Sequence, residues 1–157
     1  MLNKYYIINN GTLLGRGSTR SVYQFNNKAY KIALEGAEWV NKDEYDNYQI
    51  QNGRYDNVVA KIYSISEDET MLECELLTPL FDYILNKCDC NSEDLLDDFC
   101  DLDIYKIIDK YCENEVLNYS KLYELVHELE LNVSEYEFAM NWGVDLEGKL
   151  KFLDYAY

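Results

Sequence analysis

One ammonium group lies inside an otherwise apolar strand pattern, and this most restricts what the chain can fold into. In Lys28–Leu34 the alternation sends Tyr30, Ile32 and Leu34 one way and Ala29, Lys31 and Ala33 the other. A lysine that faces inward from such a strand needs a counter-charge. The segment from 37 to about 51 reads as a helix with Val40, Glu44 and Tyr48 at i, i+4 and i+8 on one face, and Glu44 is positioned to supply that charge. In the alternative arrangement Lys31 lies on a solvated sheet face and Glu44 on a solvated helix face, where an ion pair contributes little.

The surrounding pattern completes a sheet. Leu13-Leu14, Ser21–Phe25 and Lys28–Leu34 read as three strands, the last two joined by a tight turn at Asn26-Asn27. Asn52-Gly53 is a helix-stop signal after the predicted helix. Val58–Ser66 and Met71–Leu77 read as two more strands, with Glu67-Asp68-Glu69-Thr70 between them. Leu77–Pro79 ends the sheet and begins a connector, and Phe81–Lys87 reads as a short helix. From Ser92, a candidate N-cap, to about Cys112 the apolar spacing is helical, and Ser120 heads a further helix along Leu122, Leu125, Val126 and Leu129. Trp142–Asp145 and Lys149–Leu153 form a terminal hairpin around Leu146-Glu147-Gly148.

Net charge is −16 over 157 residues, and it is unevenly spread. Residues 1–80 carry 8 basic and 11 acidic groups, whereas residues 81–137 carry 4 basic and 16 acidic groups. That field disfavours direct binding to nucleic-acid phosphate. It favours a basic protein partner, including a nucleic-acid-binding one, or serves solubility alone. No apolar run reaches the ~20 residues of a membrane helix, and no secretory leader pattern opens the chain. Five cysteines, an odd number, with Cys88 and Cys90 in a C-x-C pair and a single histidine, predict free thiols in a reducing, cytoplasmic compartment.

The remaining signals concern phosphate. Leu14-Gly15-Arg16-Gly17-Ser18-Thr19-Arg20-Ser21-Val22 carries two glycines that allow a backbone to approach phosphate oxygens. The same G-x-G also suits an ordinary hairpin turn. This string resembles the glycine-rich loop of protein kinases, with Arg20 where the third glycine would stand. That arginine would either reach phosphate or block the loop. Lys31 and Glu44 resemble the kinase lysine–glutamate pair. Phe152-Leu153-Asp154-Tyr155 resembles the Asp-Phe-Gly turn, and Asn141-Trp142-Gly143-Val144-Asp145 resembles the end of the catalytic loop.

The chain thus resembles a small phage-type, kinase-like (pseudokinase-like) family, shortened directly after the Asp-Phe-Gly position. The resemblance implies an α+β fold. Residues 1–77 would form a kinase-like N-lobe, a five-stranded antiparallel sheet plus one helix. Residues 78–157 would form a reduced, acidic helical lobe with the terminal hairpin. It implies a nucleotide cradle of Gly15, Gly17, Arg20, Val22, Ala29, Lys31 and Glu44, with ATP and Mg²⁺ as cofactors if the cradle is live, and Asn141 and Asp154 as metal ligands. The kinase catalytic aspartate, five residues before Asn141, is Tyr136 here, and no His-Arg-Asp string exists. With an ordinary pKa of about 10, tyrosine is no base near neutral pH. Glu135 or Glu137 would have to serve instead.

Two functions follow as expectations. One is a catalytically deficient binding or inhibitor protein. It would present Glu93, Asp94, Asp97, Asp98, Asp101 and Asp103 to a basic, host-defence protein such as a CRISPR effector. The other is a minimal ATP-binding phosphotransferase or nucleotide-dependent switch.

Overall fold

In the computed structural model, residues 3–88, 90–112, 119–128 and 137–153 are described. The chain divides into two compact units. Of the described residues, 3–56 and 60–76 belong to the first and 57–59 and 77–153 to the second. The fold is α+β, as the sequence predicts. Among the described residues no helix is long and apolar enough to cross a membrane.

The first unit is a five-stranded antiparallel sheet. Its strands are β1 (Thr12–Arg16), β2 (Arg20–Phe25), β3 (Lys28–Ala33), β4 (Ile62–Ile65) and β5 (Met71–Glu75), in the order β1-β2-β3-β5-β4. Helix α2 (Glu38–Gln51) falls between β3 and β4. The Asn26-Asn27 turn holds both residues at positive φ (48° and 58°), the conformation that a two-residue hairpin needs for its twist to match the strands. Asn52, also left-handed, ends α2 as expected.

Both faces of β3 are buried, and this explains its composition. Tyr30 and Ile32 join Met71 and Ile7 in one hydrophobic cluster. Ile7 comes from a helix that the sequence pattern did not reveal, α1 (Lys4–Asn10), capped by Asn3. The helix has one buried residue, so it carries almost no periodic signal. The opposite face of β3 holds Ala29, Lys31 and Ala33, each below 10% exposed.

The predicted strand Val58–Ser66 is divided. Only Ile62–Ile65 pairs with β5. Val58 and Val59 belong to the second unit, where Phe152 donates its N–H to the Val58 carbonyl (2.8 Å) and bridges Val59 in parallel. Val58, Val59 and Ala60 are buried, and of Ile62–Ile65 only Ile62 is, so one apolar-rich segment serves two units.

The second unit contains β6 (Thr78–Pro79), α3 (Leu80–Lys87), α4 (Ser92–Asp101), α5 (Ile104–Tyr111), α6 (Tyr119–Glu128), a 3-10 turn (Ala139–Asn141), β7 (Trp142–Val144) and β8 (Leu150–Phe152). Thr78-Pro79, expected to be a connector, is instead the outer strand of a β6-β7-β8 sheet. Proline is tolerated there because an edge residue need not donate to the ladder. Gly143 permits this pairing: a Cβ on it would lie 2.9 Å from the Leu77 Cβ and 3.0 Å from the Thr78 carbonyl oxygen. The core gathers Leu80, Ile84, Leu95, Phe99, Ile104, Ile107, Trp142 and Phe152, all nearly inaccessible.

The long helix expected from Ser92 to Cys112 is broken. Leu102 is extended, and Asp103 caps a new helix by accepting the Lys106 N–H at 3.0 Å. The apolar spacing carries across the break because Leu95, Phe99, Ile104, Ile107 and Ile108 are all buried. Asn91, not Ser92, caps α4, accepting the Glu93 N–H at 3.0 Å. Ser120 lies inside α6 rather than ahead of it.

Candidate functional site

The first unit concentrates its buried charge at one carboxylate. Glu44 is 1% exposed. Its Oε1 accepts the Lys31 ammonium at 2.5 Å, and its Oε2 accepts the Arg20 guanidinium. Both cations are 7% exposed. Their convergence follows from register. Lys31 lies opposite Val22 and Arg20 opposite Ala33, so all four share one face of the β2–β3 pair. Glu44 then arrives from α2 on that face. Asn41, one turn earlier and fully buried, donates to the Glu69 carbonyl at 3.0 Å and reaches the Lys31 carbonyl at 3.5 Å. Thus α2 is joined to the sheet by two polar residues one turn apart.

The Lys31–Glu44 juxtaposition is therefore present, and the solvated-face alternative is excluded by burial. Arg20 was missed as a partner for Glu44. Its place at the end of a glycine loop suggested phosphate or blockage, yet it is the first residue of β2 and points along the same face as Val22. The period-two rule, extended two residues upstream from Val22, would have found it.

The loop itself closes as a hairpin. Gly17 donates its N–H to the Arg20 carbonyl at 2.8 Å, and the Leu34 N–H reaches the Thr19 carbonyl at 2.8 Å. Gly15 and Gly17 are exposed, and neither has positive φ. A Cβ on Gly15 would meet nothing within 4 Å, and one on Gly17 only the Arg20 carbonyl oxygen at 3.8 Å. No contact among the described residues therefore requires glycine at either position. Of the other cradle residues, Val22 is half-buried and Ala29 is buried, the latter opposite Cys74 of β5.

Asn141 belongs to the second unit, at the end of the 3-10 turn, and its carbonyl accepts the Leu153 N–H at 2.8 Å. Asp154, Glu135 and Tyr136 lie outside the described residues. Glu137 is half-buried. Among the described residues no group of three or more His, Cys, Asp or Glu side chains is arranged to hold a metal ion. Asp145, beside the terminal hairpin, organises the backbone. It accepts the Glu147 and Lys149 N–H groups, both at 2.9 Å, and faces the buried Lys151 ammonium at 3.5 Å. Burial pushes its carboxyl up. The two N–H donors and Lys151 outweigh that, and the net result lies below the usual aspartate value.

The six acids assigned to a partner surface fall into two groups. Glu93, Asp94, Asp97 and Asp101 are exposed and make no side-chain ion pair or hydrogen bond among the described residues. They occupy an arc of about 100° on α4, opposite the buried Leu95 and Phe99. Asp98 and Asp103 are engaged within the fold. Asp98 accepts the Lys110 ammonium at 2.5 Å and the Tyr111 hydroxyl. Asp103 caps α5 and pairs with Lys106 at 2.9 Å. Hydrogen bonds from Lys110 and Tyr111 hold Asp98 below its ordinary value, and the Lys106 N–H and ammonium do the same for Asp103.

No protein-family model matches this chain, and no curated protein matches it.

Proposed function

We propose that this is a catalytically deficient, kinase-like protein that acts by binding. Its acidic second unit engages a basic protein, and a nucleic-acid-binding defence protein such as a CRISPR effector has the fitting chemistry. The observation that carries this reading is the outer arc of α4, where Glu93, Asp94, Asp97 and Asp101 have no cation of their own among the described residues. Other features support it. Tyr136 stands where a kinase has its catalytic aspartate. The Arg20 guanidinium is turned onto Glu44, and one loop N–H is already committed to the Arg20 carbonyl. The phosphate-facing equipment of a live cradle is reduced accordingly.

The test uses a purified RNA-guided DNA-cleaving effector, with affinity and cleavage measured as salt rises from about 50 to about 200 mM. The expected result is inhibition by the wild type with affinity falling steeply with salt. Absence of binding, or binding indifferent to salt, would remove this reading.

A second reading, a nucleotide-dependent switch or minimal phosphotransferase, is favoured by one observation. Among the described residues no steric contact and no positive φ calls for glycine at Gly15 or Gly17, and both lie on the hairpin that leads into Arg20 and Lys31. A ligand that binds the folded state raises its melting temperature. An ATP–Mg²⁺ thermal shift that Lys31→Ala abolishes would support the switch. No shift at millimolar ATP would exclude it.

A further inference from the structure

Two cysteines of the second unit end helices, and the thiol of one reaches the backbone next to the other. Cys88 is the C-cap residue of α3 and Cys112 that of α5, their N–H groups closing the last turns on Ile84 and Ile108, each at 2.8 Å. The Cys88 thiol donates to the carbonyl of Tyr111, the residue before Cys112, at 3.8 Å. In a planar peptide a carbonyl oxygen lies about 3 Å from the next Cα. The Cys88 sulfur is therefore within about 7 Å of the Cys112 Cα. That bound lies close to the separations a disulfide spans, and both residues are at helix ends. All five cysteines are thiols in the structure. Cys88 is half-buried and reachable from solvent, while Cys112 is 5% exposed.

We propose that Cys88 and Cys112 form a reversible disulfide that closes the segment carrying α4 and its acidic arc. The oxidant is a peroxide. The more accessible Cys88 thiolate attacks one peroxide oxygen, giving a sulfenic acid and releasing hydroxide. The Cys112 sulfur then attacks the Cys88 sulfur, the S–S bond forms, and water leaves. Overall, two thiols lose two electrons and two protons, and one peroxide becomes two waters. A dithiol reductant reverses the step by exchange. The closed loop, residues 88–112, contains Glu93, Asp94, Asp97, Asp98, Asp101 and Asp103, so oxidation restrains the whole acidic segment at once.

The test treats the full chain with hydrogen peroxide, then counts thiols and maps cross-linked peptides under non-reducing conditions. The expected result is a fall from five thiols to three, one Cys88–Cys112 peptide pair, and recovery with dithiothreitol. Cys88→Ser, a change at a half-exposed position, should keep all four remaining thiols. Amide exchange across 92–111 should slow by at least about tenfold in the oxidised wild type. An unchanged thiol count, a Cys88–Cys90 bond, or a dimer bridged through the exposed Cys100 would overturn the proposal. Because no partner enters this test, its failure is separable from failure of the binding reading.

Discussion

The two units use carboxylates in opposite ways. In the first, Glu44 is buried and holds Lys31 and Arg20. In the second, Glu93, Asp94, Asp97 and Asp101 face solvent on α4 without such partners among the described residues. A charge removed from water persists only where geometry compensates it, so the Glu44 cluster specifies the fold and tolerates little change. A charge left in water costs the fold almost nothing and is available to something outside it. The contrast separates residues that build the molecule from residues that the molecule presents.

The sharpest way to break that contrast is Glu44→Gln. The substitution keeps shape and removes the charge that Arg20 and Lys31 share. We expect a loss of about 3–5 kcal/mol in urea unfolding, because two buried cations lose their common carboxylate. A loss below about 1 kcal/mol would mean that the cluster is solvated and the contrast false.

The next effect in size belongs to α4. Replacing Glu93, Asp94, Asp97 and Asp101 together by their amides should weaken binding to a basic partner by about 10–100-fold, at less than about 1 kcal/mol per charge. Folding stability should stay level or rise slightly, since Glu93, Asp97 and Asp101 repel one another at i, i+4 spacing. Circular dichroism during thermal unfolding checks the second half of this expectation.

A smaller effect sharpens the boundary between the two groups. Asp98 lies on α4 but is held by Lys110 and Tyr111, and its carboxyl is depressed in the folded state. Below the ordinary aspartate value of 3.8 the unfolded chain binds the proton first. The stability from Asp98 is therefore full above that value and is lost as pH falls through the depressed folded one. Asp98→Asn should flatten this acid limb in urea midpoints taken from about pH 5 to about pH 2.

Much of the first unit was legible because strand alternation reports faces directly. Lys31 was found that way, Glu44 from the i, i+4, i+8 face of the helix, and the Asn26-Asn27 turn and the end of α2 at Asn52 from their turn and cap residue types. What was missed has identifiable causes. Helix α1 buries Ile7 alone and so gives no stripe. Asn41 is polar, and polarity reads as exposure unless the hydrogen bonds to Glu69 and Lys31 are known. The break at Leu102 is masked because apolar residues on both sides of it are buried. The division of the acidic surface could not be read from composition, since Asp97 and Asp98 are adjacent and chemically identical. Only the position of Lys110 and Tyr111 in α5 separates them.

The most direct measurement compares two fourfold amide variants with equal net charge against the same basic effector. One carries Glu93→Gln, Asp94→Asn, Asp97→Asn and Asp101→Asn. The other carries Glu35→Gln, Glu67→Gln, Asp82→Asn and Asp109→Asn, four exposed acids elsewhere. The account predicts that the first loses about 10–100-fold in affinity and most of its salt dependence, while the second stays within about threefold of wild type. Equal losses in both variants would show that total charge, and not the α4 surface, drives association, and would contradict the proposed function.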